Sequence, residues 1–521
     1  MEMKKNPPVL LQDFLASWVV SVFRSWRIPV LASLIWSALA YMFAFTNKLI
    51  NHDEASQLFG KGATVTSGRW GLGVMDLIFP NVSMPWIYGV ITILFITLSI
   101  CLILHLFCIR SRVLQVLLAG CIMVFPSLIG VFGYMFTSTS YGLSFLLAIL
   151  AVWLVCRPCK WAVIPGFCCM VASVSIYQAY ISISASLLVL VLIRQLLLGE
   201  DPLAVLKKGI GYVLFLVVSL AGYYAATQVV LVIKDISFNE YASGSISFSV
   251  SYLLEGIRLA YLNFARFFSW AHHRLMPTSL SRVLHLLLFA ATGVLLLLWA
   301  AKQKTPCIFR FLLLAVLLAI LPLAINCMYL ITAEDAIHTL VLYSFVSVYI
   351  LTAVVMELWM ASAEEKKLTE MIRRVMLDGL ALCLAVIVII NIYTANSAYL
   401  TLHLRYENAY SFYTSLTAQI RQMPEFQEGT RIAVIGGWDS PDFYQEHLEF
   451  TDCLVGVKGF FPSDYSAQSF LEYYIGFPAE FVSADEAEAI HQSEAFQNMS
   501  VYPYYGSLDV IDNVIVVKLS P

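Results

Sequence analysis

The chain has 521 residues, of which 60% are hydrophobic and 12% charged, with a formal net charge of −3 and a mean hydropathy of +0.79. Soluble globular domains carry about 25% charged residues, so this composition excludes a chain that is water-soluble throughout. Nothing in the sequence indicates nucleic-acid binding.

Taken in chain order, residues 10–23 alternate apolar and polar side chains at helical spacing, which predicts an amphipathic helix at a membrane interface. Eleven apolar segments follow, near 28–46, 86–108, 113–132, 139–156, 161–178, 182–199, 210–233, 282–300, 307–326, 338–358 and 377–396. Most approach the roughly 20 residues needed to cross a hydrocarbon core as helix, and helices satisfy their own backbone hydrogen bonds there. The first is too long for a cleavable signal peptide, and no Ala-x-Ala-like site follows it. The expected fold is a polytopic α-helical membrane protein of about 11 transmembrane helices with a small C-terminal α/β soluble domain. Its parts are a cytoplasmic amphipathic segment 1–27, a membrane domain 28–396 with outer loops 47–85 and 235–281, and a soluble domain 397–521.

The basic residues orient this arrangement. Of the 26 Lys and Arg before residue 397, 18 fall on one side of the eleven spans and 8 on the other. The positive-inside rule makes the first side cytoplasmic. The N-terminus is then inside and the C-terminal domain outside. From residue 397 onward 5 Lys and Arg face 17 Asp and Glu, a net of −12. Within this acidic part, 431–437 reads as a strand running into a glycine turn, 514–518 as a second strand, and 483–497 as helix.

The cysteines carry little information. Only Cys453 of the eleven lies in the soluble part, so no disulfide framework is expected outside, and Cys156-x-x-Cys159 has no partner pair. No Walker motif, dinucleotide fingerprint or periodic repeat is present.

Polar chemistry concentrates in the outer loops. The first holds Asn51-His52-Asp53-Glu54, then Lys61, then Ser67-Gly68-Arg69-Trp70-Gly71. A carboxylate here suits a general base that takes a proton from a hydroxyl nucleophile; Arg69 suits a phosphate, and Trp70 a sugar face. The plain alternative is a solvated loop anchoring its helix at the headgroups. The residues alone leave both Asp53 and Glu54 as the base. Residues 252–270 form a second amphipathic pattern, ending in Trp270-Ala-His-His-Arg274. Arg258, Arg266 and Arg274 there suit a lipid phosphate or simple adhesion to the membrane. Tyr177 and Gln178 lie in a short outer turn, as sugar contacts or aromatic-belt residues. Glu334, Asp335 and His338 precede the tenth span, where carboxylates are costly unless hydrated or paired. They suit acceptor hydroxyls or pairing with the 258–274 basic residues. The spans hold few ionisable groups, which disfavours an ion pathway.

The His-Asp-Glu triplet, Ser-Gly-Arg-Trp at 67–70 and Ser-Ile-Tyr-Gln-Ala-Tyr at 175–180 resemble the bacterial glucosyltransferase II family, the serotype-converting O-antigen glucosyltransferases encoded with a flippase and a lipid-glucose synthase. The resemblance spans about 28–396 and leaves the tail uncovered. The wider likeness is to GT-C membrane glycosyltransferases. It implies a multi-pass enzyme of the bacterial cytoplasmic (inner) membrane, acting on the periplasmic face. The donor would be a polyprenyl-phosphate-linked sugar such as undecaprenyl phosphate glucose. The acceptor would be a surface polysaccharide or O-antigen of lipopolysaccharide, glycosylated by inverting displacement. Asp53 would be the base, with Glu54 the alternative. Arg69 would neutralise the leaving phosphate, with Lys61 or an arginine of 258–274. His52, Trp70, Tyr177, Gln178, Glu334, Asp335 and His338 would line the sugars. No cofactor is required, and no divalent metal. The rival readings are a polyprenyl-linked polysaccharide flippase, an O-antigen polymerase or ligase, and a membrane scaffold for the tail.

Overall fold

Long apolar segments with capped ends dictate most of the architecture of the computed structural model, which describes residues 11–60, 62, 64–80, 82–237, 250–269, 279–302, 307–332, 334, 337–361, 367–438, 455, 464–477 and 479–520. Helices α1 (Leu11–Thr46), α2 (His52–Ser56), α3 (Trp70–Met75), α4 (Pro85–Leu106), α5 (Arg112–Met123), α6 (Pro126–Gly133), α7 (Met135–Val155), α8 (Val163–Ile176), α9 (Ile181–Leu197) and α10 (Pro202–Lys234) form the first half. Then come α11 (Val250–Ser269), α12 (Ser279–Ala301), α13 (Ile308–Ile325), α14 (Ser347–Ala361) and the 55-residue α15 (Lys367–Arg421).

Proline and cap residues set the boundaries. Pro85 and Pro202 occupy the first turns of α4 and α10, where a missing N–H costs nothing. Ser111 and Asp201 cap α5 and α10 through their side chains.

Among the described residues nine helices are long and apolar enough to cross a membrane. The protein is thus a polytopic helical membrane protein. The other two expected segments take different forms. Residues 113–132 are divided into α5 and α6, bent by 43°. Pro126 ends the run: Phe125 before it is extended, at φ −65° and ψ 143°, because a residue preceding proline avoids helical backbone. Residues 161–178 form a shorter apolar helix, Lys160–Ile176. The expected amphipathic segment 10–23 continues unbroken into the first span, since Leu11–Thr46 is one helix.

Helix α15 also runs straight through residue 397, where the composition turns acidic, and reaches Arg421. Beyond it β1 (Arg431–Ile435), β2 (Glu480–Phe481), β3 (Leu508–Ile511) and β4 (Val514–Lys518) form one sheet in the order β2-β1-β4-β3. β1 pairs in parallel with β2 and β4, and β3 pairs antiparallel with β4. Helices α16 (Asp464–Phe470), α17 (Ala484–His491) and α18 (Glu494–Gln497) complete this part, with a π-helical turn at Leu471–Ile475.

The sheet does not keep its core to itself. Ile432, Ile515 and Val517 share a buried cluster with Phe470 and Leu471, with Tyr413 and Leu416 of α15, and with Ile50 and Ala55 of the first loop. The soluble part is therefore seated on the segment that carries the acidic triplet.

Candidate active site

The first loop starts from a cap. Asn51 Oδ1 accepts the Glu54 amide hydrogen at 2.8 Å, and Asn51 Nδ2 donates to the Gly133 carbonyl at 2.6 Å. One side chain thereby starts α2 and satisfies an orphan carbonyl where α6 ends. Successive residues of a helix point about 100° apart, so Asp53 and Glu54 cannot face the same way.

Their environments differ accordingly. Glu54 is fully buried. Its Oε1 receives the Lys48 ammonium and the Ser83 hydroxyl, and its Oε2 the Phe136 amide at 3.2 Å. Lys48 Nζ also donates to Ser83 Oγ at 2.8 Å. A buried carboxylate needs such an opposite charge and saturated hydrogen bonding. Asp53 keeps 40% of its side chain exposed, with His52 Nε2 3.7 Å from its carboxylate. Of the two acids, Asp53 is the one a substrate can reach.

Arg69 is held by a second construction. The chain turns at Gly68, whose φ of 74° is left-handed. Gln178 Nε2 donates to the Ser67 carbonyl and to the Tyr223 hydroxyl, each at 3.1 Å, and Tyr223 donates to the Gly68 carbonyl at 2.9 Å. Arg69 donates to the Tyr141 hydroxyl at 3.3 Å and lies 5.5 Å from the Tyr177 ring centroid. Tyr177 and Tyr141 stack at 4.3 Å. Trp70 Nε1 donates to Thr227 Oγ1 at 3.1 Å. Ser-Gly-Arg-Trp and Ser-Ile-Tyr-Gln-Ala-Tyr, over a hundred residues apart, are thus two halves of one assembly.

Gly71 closes that assembly. A Cβ at this position would lie 2.4 Å from Ser175 Oγ and 2.9 Å from the Ser175 carbonyl carbon. Gly71→Ala is expected to cost about 1–3 kcal/mol through overpacking and to displace the Arg69 turn. A fall in the melting temperature of detergent-purified protein checks this; an unchanged value would show that α3 and α8 yield freely.

Of the remaining candidate positions, the described ones lie on α11 and just ahead of the 3-10 segment Thr339–Val346. Helix α11 realises the amphipathic pattern of 252–270 and packs on Cys327–Leu330 so closely that a Cβ at Gly256 would meet the Tyr329 carbonyl oxygen at 2.4 Å. Arg258 binds Glu255 of its own helix, Nε to Oε2 at 2.8 Å, and that hydrogen bond holds the Glu255 carboxyl below its usual range. Arg266 is half-buried. No hydrogen bond or ion pair among the described residues joins either arginine to the first loop. Glu334 does meet α11, accepting from Asn263 Nδ2 at 3.1 Å. His338 is half-buried at the head of the 3-10 segment Thr339–Val346. Tyr177 is buried rather than set in an interfacial belt. Lys61, Arg274, Asp335 and the paired histidines 272 and 273 lie outside the described residues.

The tail closes over the acidic helix. Helix α16 packs on α2, and Tyr473 meets Phe59 edge-on at 5.3 Å. Burial first, and then the Glu54 charge, push the Tyr474 phenol above its usual range, which keeps it neutral beside the acids. On the other flank the Val455 amide donates to Thr339 Oγ1 at 3.0 Å.

Lys48, Ser83, Tyr141 and Tyr223 were not singled out from the sequence as site residues. Lys48 alone offered a local signal, standing six residues before Glu54.

This is a multi-spanning membrane protein with an exposed carboxylate, a neutralised one and a fixed guanidinium in the loop between α1 and α4. The chain belongs to the family described as Glucosyl transferase GtrII, whose sequence profile matches residues 42–351, well over half of it. The match takes in the acidic triplet, the Arg69 turn and the 175–180 motif, and is narrower at both ends than the 28–396 expected. Searches of curated proteins and of solved structures gave no match. The protein is accordingly a membrane glycosyltransferase.

Proposed function

We propose that this protein moves a hexose, glucose in the first instance, from a polyprenyl phosphate such as undecaprenyl phosphate to a hydroxyl of a surface polysaccharide or O-antigen. The reaction runs on the periplasmic face of the bacterial inner membrane in the manner of GT-C enzymes. A flippase and a lipid-glucose synthase would act upstream.

The observation that carries this reading is the division of labour between adjacent acids: Glu54 is buried and locked by Lys48, Ser83 and the Phe136 amide, while Asp53 keeps 40% of its side chain exposed. In the proposed step the acceptor oxygen attacks the anomeric carbon and its proton passes to Asp53. The bond from that carbon to the phosphate oxygen breaks with inversion, and polyprenyl phosphate leaves. A phosphate leaving group needs charge stabilisation more than protonation; Arg69, steadied by Tyr141 and Tyr177, provides it. His52, Trp70 and Gln178 stand beside these groups as sugar contacts.

Purified protein given radiolabelled undecaprenyl phosphate glucose and a polysaccharide acceptor is expected to form labelled polymer. Arg69→Gln should lower kcat/KM by about 10²-fold, the scale of one lost transition-state donor. Consumption of no sugar-phosphate donor under any condition would remove the transferase reading of this donor class. Movement of intact donor across vesicles without transfer would instead support a flippase. A periplasm-active reporter fused after Pro521 should be active, and a cytoplasm-only signal would reverse the orientation.

A further inference from the structure

A cavity of about 420 Å³ opens between α1 and α5, lined by Arg27, Leu31, Ile35, Trp36, Arg112 and Val116 among others. The lining follows helical spacing on both sides. Arg27, Leu31 and Ile35 repeat every four residues along one face of α1, and Arg112 and Val116 do so on α5. Each helix thus presents a guanidinium at one end of the groove and apolar side chains farther along. The Trp36 indole donates to the Val116 carbonyl at 3.0 Å and ties the two helices together. Leu31 and Ile35 are 61% and 49% exposed, so the groove is open sideways. Neither arginine has a hydrogen bond or ion pair among the described residues.

The groove is remote from Asp53. From Arg27 to the end of α1 at Thr46, a rise of 1.5 Å per residue spans about 30 Å, the thickness of a hydrocarbon core. The first loop follows directly. The groove therefore opens toward the membrane face opposite the acidic site, and a sugar donor bound there could not reach Asp53.

We propose that this groove holds one anionic glycerophospholipid, its phosphate between Arg27 and Arg112 and an acyl chain along Leu31, Ile35 and Val116. Charge complementarity selects the occupant. Two guanidiniums at the rim favour a headgroup with net negative charge over a zwitterionic one; the N-terminus of α5 is already met by Glu357, whose Oε2 accepts the Ser111 amide hydrogen at 3.1 Å, so the two arginines carry the selection. The apolar run matches hydrocarbon and gives a free anion nothing to hold.

The test uses the full-length protein in neutral detergent, titrated separately with phosphatidylglycerol and phosphatidylcholine, with bound lipid counted by native mass spectrometry. One phosphatidylglycerol is expected to bind ahead of all others. R27Q/R112Q should weaken that first binding about tenfold or more without changing the affinity for phosphatidylcholine. Ile35→Trp, which fills the groove and keeps both arginines, should weaken it as well. Equal binding of the two lipids, wild-type affinity in R27Q/R112Q, or full displacement by inorganic phosphate would each overturn the proposal. Both arginines are exposed, so the melting temperature should hold. Sugar transfer by R27Q/R112Q in detergent should also hold, so failure here leaves the transferase reading untouched.

Discussion

Asp53→Asn is expected to abolish sugar transfer while leaving the fold intact. The side chain is partly exposed, and the amide replaces the carboxylate without changing its shape. What is lost is the ability to accept a proton, worth about 10²–10⁴-fold in rate. Single-turnover kinetics with saturating donor isolate the chemical step, and a thermal melt shows that the protein is still folded. Glu54→Gln should behave in the opposite sense. The amide can still meet Ser83 and the Phe136 amide, but it leaves the Lys48 ammonium without its counter-charge. Breaking a buried pair costs about 3–5 kcal/mol. Lys48 retains 27% exposure, which lowers the expected cost to about 2–3 kcal/mol. Its signature is a lowered melting temperature, with activity falling in step. Full activity in Asp53→Asn, together with a stable but dead Glu54→Gln, would exchange the two roles.

Phe470→Ala should be the most damaging change in the tail. Phe470 is fully buried in the cluster that joins the sheet to the first loop. It stacks on Tyr474 at 5.3 Å and meets Tyr413 at 5.5 Å. Removing such a ring costs about 3–5 kcal/mol. The loss lies at the seam that carries Ile50 and Ala55, so transfer should fall along with stability. Tyr505→Ala, at a fully exposed position of the same domain, is the control and should change neither. Undiminished transfer by Phe470→Ala would show that α2 keeps its place without the tail.

The spanning helices were legible because apolar length is a local property. Each of the eleven segments maps onto a helical stretch, although Pro126 breaks one and another is short. Strands at 431–435 and 514–518 were legible for the same reason, as unbroken apolar runs beside turn residues. The site was legible in part. Adjacent acids on a short helix must face apart, but which of them is buried depends on Ser83 and Phe136, 29 and 82 residues away. The partners of the Arg69 turn, Tyr141 and Tyr223, come from α7 and α10 and are ordinary aromatic residues of apolar helices. In the sequence the arginines of 258–274 read as phosphate or membrane contacts on an amphipathic helix. Arg258, however, is answered by Glu255 three residues before it, a pairing visible in the helical spacing once both ends are considered.

The union of Ile50 and Ala55 with Ile515 and Val517 in one core has a consequence for biogenesis. The acid-bearing loop is synthesised well before its packing partners, which lie more than 400 residues later in the chain. Contacts of such sequence separation form late, since the intervening loop must close first. The acidic helix therefore reaches its final setting only after the whole helical bundle has been threaded and the sheet assembled. A chain lacking β4 would hold the acids without the core that Ile515 and Val517 supply. Seating of the acidic helix thus waits on synthesis of β4.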